Sequence, residues 1–287
     1  MAKVLAYIII IFFAVVCLYP LLLVLGVSFS DNNDVVRIGY RAIPKTVTAD
    51  TYLYLFFHSG SKILRSYGVT IFTTLVGTFG AMFLTSMTAF ALSIKSLKYR
   101  NQISYFCNFT IIFSAGLIPW YYVCVNFYHM MDSYAGLILP SMLSVFNMFL
   151  MRTYFSDIPS SLYESARIDG AGWFKIYTTI AVPLSKTAML TVGMMYALGY
   201  WNDWWNALMF INSREKYPLQ YMLYNLLSNV NAIKSGRVPS GAVASIKLPT
   251  ETAKMAVTII TIGPIIFLYP FIQKYFVDGV MTGAVKE

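Results

Sequence analysis

The sequence predicts an all-α protein that crosses a membrane several times. Of its 287 residues, 58% are hydrophobic and only 11% are charged, against about 25% charged in an ordinary soluble domain. The apolar residues also gather into windows long enough for a hydrocarbon core, which takes about 20 helical residues. Those windows run over 4–29, 66–94, 103–125, 134–151, 187–211 and 252–274, and they predict six transmembrane helices in a single membrane domain, 1–287.

The first window follows Lys3, as the core of a secretory signal would. It exceeds the roughly 7–15 apolar residues of such a core and lacks a small-residue cleavage site, so it is read as a span. In the second window Gly77 and Ala81 are four apart, which predicts a close helix contact. The fourth is short, and Pro140 near its start predicts a kink or a late beginning. Cys17, Cys107 and Cys124 lie in apolar windows without a CxxC pair and are read as small packed hydrophobes.

Lys95, Lys98 and Arg100 occupy the short loop after the second window, whereas the loop after the third has Asp132 and the largely neutral His129. Positive residues are retained on the cytoplasmic side, which makes both termini cytoplasmic and turns 30–65 and 212–251 outward. Gly236, Pro239, Ser240, Gly241 and Pro249 predict that 212–251 is a shaped loop with a short helix at most. The net charge of +9 is scattered through loops. That scatter fits membrane topology and argues against nucleic acid as a partner.

Between the fourth and fifth windows, 158–183 mixes polar and apolar residues. Pro159, Ser160 and Ser161 predict a first short helix, because proline and hydroxyls suit the unpaired amides of a helix start. Asp169 and Gly170 predict a break that also caps a second helix, on which Trp173, Phe174, Ile176 and Tyr177 form an apolar surface with Lys175 turned elsewhere. Composition leaves two readings. The segment is either a helix lying on the inner membrane surface or a knob that seats in a soluble partner's groove and passes rigid-body motion to the spans.

In register, Glu164, Ala166, Gly170, Ile180 and Pro183 fall on the pattern E-A-A, three residues, G, nine residues, I-x-L-P, with Ser165 and Val182 as small departures. This resembles the EAA loop of ABC importer permeases. Trp201-Asn-Asp-Trp-Trp-Asn206 and the ending Gly283-Ala-Val-Lys286 are similar to the maltose-type sugar permeases of that family. The resemblance implies a type I importer permease of the bacterial cytoplasmic membrane, with 158–183 as a cytoplasmic coupling loop. By the same resemblance Glu164, Ala166, Asp169, Gly170, Trp173, Phe174 and Pro183 make the ATPase contact, Glu164 pairs with a basic group there, and Gly283 and Lys286 of the tail approach the ATPase.

The partners so implied are a second related permease, two ATPase subunits that hold ATP and magnesium, an extracytoplasmic sugar-binding protein meeting 212–251, and membrane lipid. Within the family the chain is similar to permeases for oligosaccharides, including uronate or polysaccharide fragments, with a non-sugar solute as the alternative.

His58 and His129, the only histidines, have no metal-ligand partner at helical spacing, and HExxH, GxSxG and GxxxxGKS/T are all absent. The sequence therefore offers no catalytic constellation, no metal set and no cofactor of its own, and leaves ATP hydrolysis to a partner. Tyr196, Tyr200, Asn202, Asp203, Trp204 and Asn147 are candidates for the substrate pathway, because aromatic faces pack on sugar C–H surfaces and amides bond hydroxyls. Asp203 stands out as a carboxylate inside an apolar window. The competing readings are an interfacial belt for the tryptophans and hydrogen bonds between helices for the tyrosines and asparagines. An ion-coupled transporter would place several ionisable groups at mid-membrane, and Asp203 alone is a thin set.

Overall fold

A computed structural model describes residues 2–234 and 251–266. Among these the chain is helical, with one isolated antiparallel bridge, Ser30 to Val47, outside the helices. It forms two compact units. The first takes residues up to Ser66 with 219–266, and the second takes Tyr67–Pro218.

In the first unit, α1 (Ala2–Ser28) holds the candidate span Lys3–Ser28, 26 residues long, whose 18-residue window reaches a mean hydropathy of 3.1. Its side chains are exposed from Lys3 to Leu22, the arrangement of a helix whose solvent is lipid, since its backbone bonds are satisfied internally. Asp31 then caps α2 (Asn32–Ile38), its Oδ1 accepting from the amides of Asn33 (2.8 Å) and Asp34 (3.2 Å). The Tyr40 hydroxyl donates to Glu251 at 2.5 Å, and Thr51 meets Thr252 at 2.9 Å. That bond to a carboxylate, with burial and the Glu251 charge, pushes the Tyr40 hydroxyl up to about 12.

The expectation of at most a short helix in 212–251 is corrected. After a 3-10 turn at Arg214–Lys216, α13 runs over Leu219–Lys234, 16 residues long. Its Met222, Leu223 and Leu226 sit at helical spacing and pack with Leu55, Ala256 and Val257, the last two on α14 (251–266). An amphipathic helix of this kind buries one stripe and so never registers as an apolar window. Residues 235–250, with the glycines and prolines that suggested a loop, lie outside the described residues.

The second unit begins within α3 (Asp50–Ser93), whose stretch Gly60–Ser93 is long and apolar enough to cross a membrane. Three further segments pass that test only as bent pairs. The third window divides into α4 (Arg100–Ile112) and α5 (Leu117–Tyr122, continuing as a π-turn through Phe127), bent by 114°. A straight helix over 103–125 is thus corrected: Phe113 is extended and Gly116 has φ +88°, so helical hydrogen bonding stops there. In the fourth window, α6 (Tyr134–Ile138) passes through a 3-10 turn containing Pro140 and meets α7 (Val145–Ser156) at a 50° bend, the kink that Pro140 predicts.

The close contact expected at Gly77 is present, made by the Tyr200 ring: a Cβ added there would lie 2.6 Å from Tyr200 Cζ. Tyr200 cannot retreat freely, because its hydroxyl donates to the Ile138 carbonyl at 2.9 Å. Gly77→Val is therefore expected to cost about 1–3 kcal/mol through overpacking. Thermal unfolding in detergent checks it, and an unchanged midpoint would contradict the contact.

A clamp ties the turn before α6 to the turn before α13. Asp132 accepts from the Ser213 hydroxyl (2.6 Å), the amides of Ser213 (2.9 Å) and Asn212 (3.2 Å), and the Lys216 ammonium (3.2 Å). The Ser213 hydroxyl, ahead of the other donors, holds the carboxyl far below the usual carboxylate range. A depressed folded pKa stabilises above the unfolded value of about 3.9 and is lost as pH falls below it. The protection of the Asn212 and Ser213 amides, relative to their free-chain exchange rate at each pH, is expected to hold from neutral pH down to about pH 4 and to fall progressively below that. In Asp132→Asn that protection is expected to be lower already at neutral pH.

Candidate functional site

The segment 158–183 forms two short helices. Pro159 precedes α8 (Ser160–Ile168), as its fixed φ and missing N–H suit a helix start. Gly170, at φ +80°, ends it. The Gly170 amide donates to Arg167 O at 3.0 Å and the Ala171 amide to Ala166 O at 2.9 Å, the paired bonds of a Schellman cap with glycine in the left-handed position. Ala166 and Ala171, the two ends of the longer bond, both pack on the buried core of this unit.

The two faces of α8 differ. Tyr163 is buried and its hydroxyl donates to Phe155 O at 3.5 Å, while burial pushes that hydroxyl up to about 12. Glu164, Arg167 and Asp169 are exposed, and Ile168 is 85% exposed at the end of the helix. The Arg167 guanidinium lies 4.8 Å over the Trp173 ring and bridges the two helices.

The second helix corrects two expectations. Its N-terminal position is Gly172, without a side-chain cap, and Asp169 instead ends α8. The four apolar residues of α9 (Trp173–Ile176) and its continuation also divide between two sides. Ile176 (0% exposed) and Tyr177 turn into the core, while Trp173 (37%) and Phe174 (63%) stay out. Pro183 has no N–H for the Thr179 carbonyl, and just before it the helix widens into a π-turn over Tyr177–Ala181, followed by α10 (Val182–Leu184). Pro183 itself is exposed, and an 87° bend at Ser185 leads into α11 (Lys186–Trp201).

Phe90 of α3, which the sequence did not single out, joins these parts. Its ring meets Phe155 (5.8 Å) and Tyr163 (5.9 Å) edge-on, Trp173 at 6.4 Å and Tyr177 at 5.4 Å. One turn earlier on α3, Ser86 bonds the Tyr177 hydroxyl at 2.6 Å. One buried phenylalanine thus touches α7, α8, α9 and the π-turn, so a displacement of α8 has a packed route into α3.

The pathway candidates separate into two groups. Tyr196 and Tyr200 are buried and bonded within the fold: the Tyr196 hydroxyl meets Thr85 at 2.6 Å and accepts from the Ser144 amide at 2.9 Å. Asn147 is buried in the first turn of α7. Asn202, Asp203 and Trp204 fall in a break that divides the fifth window between α11 and α12 (Trp205–Phe210). There Asp203 accepts from the Asn206 amide (3.0 Å) and side chain (2.6 Å), and Asn206 also donates to Ser141 at 3.0 Å. Trp204 and Trp205 meet edge to face at 5.7 Å, both partly exposed. Gly283 and Lys286 lie outside the described residues. Among the described residues no three His, Cys, Asp or Glu side chains are grouped to hold a metal.

No family model matches the chain. It is 36% identical over 281 residues, 96% of its own length and 94% of the relative's, to the polygalacturonan/rhamnogalacturonan transport system permease protein YtcP of Bacillus subtilis. The chain belongs to the carbohydrate-uptake permeases of ABC importers. The arabinooligosaccharides transport system permease protein AraQ of the same organism is 30% identical over 94% of this chain and 90% of that protein. A solved bacterial ABC transporter involved in the import of the acidic polysaccharide alginate matches with TM-score 0.83 and 28% identity, covering 96% of each chain. The helices described above are therefore those of a carbohydrate importer's permease, a membrane transport subunit whose relatives are not catalysts themselves.

Proposed function

We propose that 158–183 is the cytoplasmic coupling segment of this permease and that α8 seats in a groove of a partner ATPase. The observation that carries this is the Schellman-capped α8, which presents Glu164 and Ile168 outward while Tyr163 on its other face packs against Phe90 of a long apolar helix. An exposed isoleucine beside charged residues has the chemistry of a protein contact, an apolar anchor with a polar rim. In this reading ATP binding and hydrolysis are the partner's, six spans cross the bacterial cytoplasmic membrane with both termini inside, and a second related permease completes the pathway. An extracytoplasmic binding protein delivers the sugar on the face that carries α13. ATP binding has to favour one arrangement by several kcal/mol to shift the population decisively.

For the cargo we propose oligosaccharides from acidic polysaccharides. Support comes from the relatives, one named for polygalacturonan and rhamnogalacturonan and one for alginate. At the break between α11 and α12, Trp204, Trp205 and Asn202 supply aromatic faces and an amide suited to sugar. The test is ATP hydrolysis by the assembled importer in proteoliposomes with its binding protein. Oligouronides are expected to stimulate it and neutral disaccharides not, and equal stimulation by both would contradict the cargo.

A further inference from the structure

We propose that a cavity between α3 and α9 seats the acyl chain of an anionic phospholipid, whose phosphate is held by Lys98. The cavity has a volume of about 390 Å³. Met87, Phe90 and Ala91 of α3 lie on one wall and Trp173 and Phe174 on the other, and Lys98 is part of the lining. Most of that surface is apolar, and the lysine supplies the one full charge.

Its position along α3 argues for lipid over a soluble ligand. Met87, Phe90 and Ala91 belong to the last two turns of Gly60–Ser93, the stretch apolar enough to cross a membrane, whereas Lys98 lies just past its end and is exposed. The cavity therefore straddles the level at which hydrocarbon gives way to headgroups, where tryptophan and long basic side chains are favoured. Charge complementarity selects the headgroup: Lys98 is joined nearby by exposed Lys95, and each cation close to an anionic surface favours phosphate. A chain filling the cavity would lie between these walls and fix how far Trp173 and Phe174 stand from Phe90, which would make coupling depend on lipid. That consequence rests on the proposed coupling role of 158–183, but the seat itself does not.

The test uses the assembled importer in nanodiscs of phosphatidylcholine with or without phosphatidylglycerol, released gently for native mass spectrometry. Wild type is expected to retain phosphatidylglycerol in preference to phosphatidylcholine. Lys98→Gln, an exposed change, is expected to weaken that preference roughly five-fold. Ala91→Trp, which fills the cavity, is expected to abolish retention of either lipid. Retention equal to wild type in both variants would overturn the proposal. So would a photoreactive side chain at position 91 that captures the ATPase and no lipid. If Ala91→Trp fails to assemble, Lys98→Gln decides. The lipid count does not depend on whether α8 meets an ATPase, so the seat and the docking reading fail separately.

Discussion

Phe90→Ala is expected to destabilise the permease by about 3–5 kcal/mol, the usual cost of removing a buried aromatic side chain and leaving its cavity. It is also expected to uncouple the importer more than its stability loss implies. The ring is 6% exposed and is shared by Phe155, Tyr163, Trp173 and Tyr177, so its loss slackens every contact that holds α8 and α9 to α3. In proteoliposomes, sugar-stimulated ATP hydrolysis should fall toward the unstimulated rate while basal hydrolysis persists. Phe90→Leu, which keeps most of the volume, should lie between the two. Full stimulation in a folded Phe90→Ala variant would show that the rings only pack.

Gly170→Pro is the second large expectation. Proline fixes φ near −65° and carries no N–H, whereas Gly170 sits at φ +80° and its amide bonds Arg167 O at 3.0 Å. Both requirements of the cap fail together, at a cost of about 3 kcal/mol or more. Gly170→Ala keeps the amide and meets only the left-handed penalty, about 1–2 kcal/mol; a Cβ there would touch nothing within 4 Å. The series separates conformation from contact. If a missing side chain mattered, alanine and proline would behave alike, and the structure predicts that they do not. Co-purification of the ATPase reads the difference: retained with alanine, reduced with proline.

How far the sequence foretold these features depended on what each one needs. The apolar runs of α1 and of α3 to Ser93 are local and legible, as is the break at Gly170, although the sequence assigns its cap to the second helix and the structure to the first. The break at 113–116 has a local mark in Gly116 and Pro119, which an average over the apolar window 103–125 does not register. The α13 helix escaped because amphipathic residues look polar on average, and its apolar stripe is defined by Leu55 and Val257, far away in sequence. Which way Trp173 and Ile176 face depends on what packs beside them, and so does the part played by Phe90. One phenylalanine among 21 has no mark in the sequence until Tyr163 and Tyr177 are brought to it.

Placing a photoreactive amino acid at Ile168, 85% exposed at the tip of α8, and irradiating the assembled importer in its membrane tests the coupling assignment most directly. The account predicts a cross-link to the ATPase subunit, lost in Gly170→Pro. Capture of lipid alone, or reaction of a cysteine at this position with an impermeant reagent from outside the cell, would contradict it.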